Sequence, residues 1–241
     1  MYTDIFNQFQ SFLRGANGDF QILEHRVPVE KQMEYFKYAD RLRRRKLTDT
    51  EADYDIFREV LENPFATVDS KKNVLVRLAL SKGVKAFRII EQYAREPEPE
   101  LADWAHLALT ESRIAIESEL LDEKHIYIST GLGGRNNKLR FFGLMSSEKG
   151  APFLPYQKDI IEKEFAFAFP QYDCEIERVT VRTRHVELVF LAPINAEIRT
   201  MVERVMIECN QYGDFLAKMF TLTNVKELDD SEIAEILKAT T

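Results

Sequence analysis

The stretch CEIERVTVRTRHVELVFLA, Cys174 to Ala192, decides the fold. It is rich in β-branched residues, and strands of globular proteins seldom exceed about ten residues, so it is too long for one strand. Ile176, Val179 and Val181 point one way, and Val186, Leu188 and Phe190 resume beyond Arg182-Thr183-Arg184-His185. A turn at those four residues gives two antiparallel strands.

Upstream, Ile126 and Ile128 alternate with His125 and Tyr127, and Leu139 to Met145 is a second β-rich run with Phe141, Phe142 and Leu144. Between the two regions, Pro155 opens an amphipathic helix through Ile160, Ile161, Phe165, Phe167 and Ala168, closed by Pro170. Downstream, Asn195 is positioned as the N-cap of a helix with a stripe through Ile198, Val202, Val205, Cys209, Tyr212, Leu216 and Met219. Continued to Leu222, that helix would reach about 40 Å at about 1.5 Å per residue, with Gly213 as the place for a break. Its far end, with Phe215, Met219 and Phe220, would carry an apolar stripe suited to packing on the first half or on a second copy. A last helix begins at Asp229 and carries Ile233, Ile236 and Leu237. The expected order is ββαββα plus a C-terminal helix: an antiparallel sheet with both helices on one face, a two-layer α+β sandwich over 123–241.

Residues 1–122 read differently, with apolar residues at helical spacing from Val29 to Leu121. Met33, Phe36, Ala39 and Leu42 mark one helix; Tyr54, Phe57, Val60 and Leu61 mark a second, with Thr48 and Glu51 as its expected capping box. Asp69 or Ser70 caps a third, with Val74, Leu75, Leu78 and Ala79, and beyond Gly83 a fourth carries Val84, Phe87, Ile90 and Ala94. Pro99 suits the first turn of a fifth, through Leu101, Trp104, Ala105, Ala108, Ala115, Ile116 and Leu120. The segments Val76-Arg-Leu-Ala-Leu, Ala86-Phe-Arg-Ile-Ile-Glu-Gln-Tyr and Pro97-Glu-Pro-Glu-Leu-Ala-Asp-Trp-Ala resemble a HEAT-type helical repeat over about 70–121, without the basic residue expected shortly after Leu101. The resemblance implies a short α-solenoid offering an extended surface to a protein partner. An ordinary small helical bundle is the alternative.

The chain of 241 residues carries a formal charge of -7, with 18 basic and 22 acidic residues through Asp122 and 15 and 18 thereafter. Neither half is basic, so nucleic-acid binding is not expected unless a compact local patch exists. Two cysteines make no disulfide framework, and there is no long apolar run or basic leader, so a cytoplasmic chain without membrane contact is expected.

For chemistry, the loop Gly131, Gly133, Gly134, Arg135, Asn136 and Lys138 is the first choice as a phosphate or nucleotide cradle, since glycine amides approach anions and two cations stand beside them. It lacks a P-loop ending and does not open a helix, and the same residues suit a strand connection with positive φ. Arg178, Arg182 and Arg184, with His185, alternate along a strand and suggest an open sheet face for RNA, with Tyr127 and Phe141 as stacking residues. Arg41-Leu-Arg-Arg-Arg-Lys46 is either an acidic-partner patch or a set of cations complementing a helix C-terminus. His25, His106, His125 and His185 lack metal-ligand spacing, and no nucleophile elbow occurs, so no metal, cofactor or catalytic residue is assigned. The leading expectation is a non-enzymatic interaction or regulatory scaffold with a protein partner or self-association. A phosphate-ligand or nucleotide binder, with or without enzymatic activity, and an RNA binder stand as the alternatives.

Overall fold

The structure is a computed structural model that describes residues 20–45, 49–121 and 126–240. The chain forms two compact units, one built on Val27–Tyr127 and the other on Ile22–Arg26 and Ile128–Thr241. The expected junction at 122–123 lies outside the described residues, as does His125.

The first unit holds α1 (Val29–Arg44), α2 (Glu51–Glu62), α3 (Val68–Leu80), α4 (Val84–Tyr93) and α5 (Ala102–Leu121). Its core closes on Trp104, fully buried, with the Tyr35 and Tyr38 rings edge-on at 5.2 and 5.4 Å and the Lys72 ammonium 4.5 Å over its face. Tyr35 donates a hydrogen bond to Glu111 at 2.7 Å, and Arg43 donates to the other carboxylate oxygen at 2.7 Å. Two caps differ from expectation. α2 starts from Thr50, whose amide and hydroxyl both donate to Asp53 at 2.7 Å, so the reciprocal pair sits two residues beyond the expected Thr48, which lies outside the described residues. α3 is capped by Thr67, which accepts from the Ser70 amide at 3.2 Å; Asp69 and Ser70 lie inside the first turn.

Two short strands, β1 (Phe20–Ile22) and β2 (Ile126–Ile128), pair separately. The second unit is α+β, built on β3 (Gly134–Arg135), β4 (Lys138–Ser147), α6 (Pro155–Ala168), β5 (Glu175–Val181), β6 (His185–Pro193), α7 (Ile198–Asn210), β7 (Leu216–Thr223) and α8 (Asp230–Thr240). The Cys174–Ala192 stretch is the β5–β6 hairpin, with Val181 opposite Val186 and a register shift between Ile176 and Arg178 that explains the broken alternation of Ile176 and Val179.

The expected helix from Asn195 to Leu222 is the main correction. It begins at Ile198 after Glu197, which makes no side-chain cap bond, and it stops at Asn210. There the Asn210 side chain accepts from the Phe215 and Leu216 amides at 3.2 and 2.9 Å and donates to the Leu216 carbonyl at 2.9 Å, while Gly213 takes φ +119. The chain reverses and becomes β7, paired antiparallel to β4 with Phe220 opposite Met145 and Thr223 opposite Phe142. The order is therefore ββαββαβα, and the four main strands lie β7-β4-β6-β5, all antiparallel. This is the split βαββαβ arrangement of ferredoxin-like sheets, β4 and β5 running the same way with β6 between them.

Opposed residues share a face, so the register sorts the side chains. Phe141, Met145, Val186, Leu188 and Phe190 face α6 and α7: Phe190 stacks on Phe141 at 5.6 Å and meets Phe169 edge-on at 5.0 Å, and Arg199 of α7 lies 5.3 Å over Phe220. Phe142, Leu144 and Val189 face the other way and form a core with Leu132 and with Ile233 of α8, flanked by Leu228, Ile236 and Leu237. Both faces are covered, where the expected sandwich left one open.

Candidate functional site

The glycine loop is packed by the chain itself. A Cβ on Gly131 would stand 1.8 Å from the Val225 carbonyl oxygen, one on Gly133, at φ +63, would stand 2.6 Å from that of His25, and one on Gly134 would stand 2.1 Å from that of Lys138. Asn136 and Asn137 take φ 51 and 62, the two left-handed positions of a tight hairpin turn between β3 and β4. The neighbouring cations are paired. Arg135 reaches Glu175 at 3.4 Å and Glu177 at 3.8 Å; Lys138 holds Asp173 at 2.9 Å and Glu175 at 2.7 Å; Arg140 takes Glu177 through two nitrogens and donates to the Leu132 carbonyl at 2.7 Å. The Arg140 hydrogen bonds, outweighing burial, hold the Glu177 carboxyl below its ordinary range. The glycines thus serve close backbone approach, and the cradle expected for a phosphate is occupied by Val225, His25 and β5 carboxylates.

The three strand arginines do not share an open face. Arg178 pairs with Glu227, which also holds Arg26 at 2.5 Å. Arg182 donates to Glu187 at 2.8 Å, and Arg184 is exposed at the hairpin turn without an ionic partner among the described residues. Phe141, expected as a stacking residue, is buried on the helix side; the Tyr127 side chain lies outside the described residues. In the run Arg41 to Lys46, Arg41 lies 5.3 Å from the Tyr38 ring, Arg43 pairs with Asp40 and Glu111, and Lys46 lies outside the described residues.

A site that sequence reasoning missed lies at the opposite end of β4. Backbone hydrogen bonds gather three segments: the Ser147 amide donates to the Arg184 carbonyl, the Glu148 amide to the Phe215 carbonyl, and the Phe153 amide to the Thr183 carbonyl, each at 2.8 Å. Each segment brings an exposed cation, Lys149, Arg184 and Lys218, and none of the three has an ionic partner among the described residues. At this end of β4, Leu144 and Ser146, with Met219, Phe220, Thr221, Ile236 and Leu237, line an open hollow of about 250 Å³. His185 and Glu187 sit opposite Ser146 and Leu144 on the same face. Burial works to raise the Glu187 carboxyl, but hydrogen bonds from Arg182 and His185 outweigh it and hold the group below its ordinary range. β7 supplies three of the seven lining residues, so the hollow is invisible while that segment is read as helix.

Among the described residues no group of three His, Cys, Asp or Glu side chains is placed to hold a metal ion. Cys174 and Cys209 are free and buried, with thiols pushed up to about 11 and about 12 by that burial, so neither is a ready nucleophile at neutral pH. No described helix is long and apolar enough to cross a membrane.

No protein-family model matches the chain. No curated protein matches it either. Among solved structures it is similar to a putative transposase from Deinococcus radiodurans R1, at 14% identity over 44% of this chain and 95% of that one, with a TM-score of 0.38. It is also similar to a REP-associated tyrosine transposase bound to a REP hairpin, at 10% identity over 42% of this chain and 69% of that one, with a TM-score of 0.33. Against the expected protein-interaction scaffold and a protein partner in place of nucleic acid, both similar structures are described as transposases, one of them bound to a REP hairpin.

Proposed function

We propose that the α+β unit binds single-stranded nucleic acid at the end of its sheet where the β5–β6 turn, the end of β4 and the start of β7 meet. The observation that carries this reading is the set of Lys149, Arg184 and Lys218, three exposed cations without ionic partners among the described residues, on segments that backbone hydrogen bonds gather at the end of β4, where Leu144 and Ser146 line a largely apolar hollow. Unpaired cations exchange counterions for phosphates, and an apolar recess suits an unstacked base, which a duplex would keep inside its stack. Glu148 and Asp214 lie in the same segments, and the chain carries -7 overall, so the affinity is modest and falls steeply with salt.

Fluorescence anisotropy with labelled oligothymidylate, oligouridylate and a DNA duplex, at several salt concentrations, tests it. Single strands bind best, the two single strands reporting the effect of the 2′-hydroxyl. Replacing Lys149, Arg184 and Lys218 together by alanine flattens the plot of log affinity against log salt by about 2, at about 0.7 per lost phosphate contact. No binding by the native protein at low salt, or an unchanged slope in the triple variant, rejects the reading.

For the first unit we retain a HEAT-type arrangement of α3 to α5 as a proposal about architecture, supported by buried Leu75, Leu78, Ala79, Ala86, Ile90, Leu101, Ala105 and Ala108. The free, buried cysteines support a cytoplasmic setting.

A further inference from the structure

We infer that α8, with the turn before it, is a releasable lid over the second face of the sheet, latched by Glu227. The lid goes beyond the nucleic-acid reading and does not depend on it. Register defines the covered face: Phe142 and Leu144 of β4 and Val189 of β6 share it with Arg178 of β5, the cross-strand neighbour of Val189.

The footing of α8 on that face is thin. Among the described side chains of its 11 residues Ile233 alone is buried, with Ile236 and Leu237 partly buried beside it. α7, with 13 residues, buries Ile198, Met201, Val202, Val205, Met206 and Cys209. Ile236 and Leu237 also border the open hollow of about 250 Å³, so the C-terminal half of α8 stands partly over empty space and forfeits dispersion contacts with the sheet. The segment is held together internally as well. Asp229 accepts from the Ser231 and Glu232 amides at 2.9 and 3.0 Å, and the Glu232 carboxylate accepts from the Asp229 amide at 3.1 Å and pairs with Lys226 at 2.7 Å. These bonds travel with the helix and survive its departure from the sheet.

The fixed point lies just upstream, where the Leu132 amide donates to the Asn224 carbonyl at 3.1 Å and the Val225 carbonyl packs on Gly131. Beyond it, Glu227 reaches across to Arg26 at 2.5 Å through one carboxylate oxygen and to Arg178 through the other. Both arginines are half exposed, so salt screens the latch. An anchored hinge, an ion-pair latch and few buried contacts make a helix that opens locally while the sheet stays folded. Ionic strength thereby regulates access to Phe142, Leu144 and Val189.

Hydrogen exchange of the full chain, read by mass spectrometry at about 0.05 M and about 0.5 M sodium chloride, tests the lid. The α8 amides are expected to exchange at least about tenfold faster than those of β6. Val205→Ala, which weakens the core under α7, speeds β6 exchange by about tenfold and leaves α8 unchanged, because the open form keeps that core. Glu227→Gln speeds α8 exchange by about threefold or more, and raising the salt speeds α8 in native protein more than in this variant. Alkylation separates lifting from melting in place: Val189→Cys, under the lid, reacts faster than Leu188→Cys, on the other face. Equal protection of α8 and β6, or equal acceleration of both by Val205→Ala, overturns the lid. So does labelling of Val189→Cys no faster than of Leu188→Cys. An α8 unaffected by Glu227→Gln, or a salt effect of the same size with and without that carboxylate, overturns the latch. If a cysteine variant fails to fold, the exchange of native protein and Glu227→Gln decides.

Discussion

At one end of β4, Arg135, Lys138 and Arg140 face Asp173, Glu175 and Glu177, Gly131 and Gly133 sit against carbonyls from remote segments and Gly134 against that of Lys138, and each of these cations has a carboxylate partner. At the other end, Lys149, Arg184 and Lys218 stand exposed without ionic partners among the described residues, and Leu144 and Ser146 of the strand line an open hollow. The same strand thus ends in a sealed, charge-compensated corner and in an open, uncompensated one. Net charge per residue type would have ranked the two equally. What separates them is whether cross-strand carboxylates oppose the cations, and a group with its partner already in place has little left to offer a ligand.

The sharpest way to break the contrast is Gly131→Ala. Its methyl would meet the Val225 backbone, which cannot yield as a side-chain tip can, so a loss of about 3 kcal/mol or more is expected in urea unfolding. A loss below about 1 kcal/mol would mean the corner is loosely packed. Next, Arg140→Met takes the two-nitrogen partner from the largely buried Glu177, leaving it only Arg135 at 3.8 Å and Arg26 at 4.0 Å, and strands the Leu132 carbonyl, for a loss of about 2 kcal/mol. The same variant reports on pH. Glu177 is held below its ordinary value of 4.5, so its stabilising contribution is present above that value and is lost as pH falls through the lower folded value. Native protein should lose stability more steeply than Arg140→Met between about pH 5 and pH 3, and parallel curves would remove Arg140 as the cause. At the open end, Asn210→Ala removes three hydrogen bonds that start β7 and costs about 1 to 2 kcal/mol. The smallest effect belongs to Lys149→Ala, Arg184→Ala and Lys218→Ala, each within about 0.5 kcal/mol of native stability by thermal unfolding, as expected of surface cations without structural work.

The division into a helical and an α+β region was legible because the hydrophobic period changes from 3.6 to 2, and the β5–β6 hairpin because its apolar residues resume across a polar turn. β7 was not, since Leu216 and Met219 continue the helical phase of Cys209 and Tyr212. The opposing signals, Asn210, Gly213 and Asp214 followed by β-branched Thr221 and Thr223, were local turn and strand chemistry that the stripe outweighed. The glycine loop attracted notice because glycine is visible in a sequence, whereas the carbonyls of His25 and Val225 that fill it come from remote positions. The exposed patch had no local signature at all: Lys149, Arg184 and Lys218 lie far apart along the chain, and only the sheet order unites them.

The pairing of β4 with β7 also bears on how the protein is made. β4 is complete at Ser147, but its outer edge is closed only when Leu216–Thr223 has been synthesised. At about 5 to 20 residues per second, that edge waits several seconds on the ribosome with unpaired backbone groups flanked by Phe141, Phe142 and Leu144. An apolar strand edge left open is a template for another chain. Chains ending before Leu216 should therefore aggregate during expression, while full-length chains, once β7 is in place, have no such edge to offer on β4.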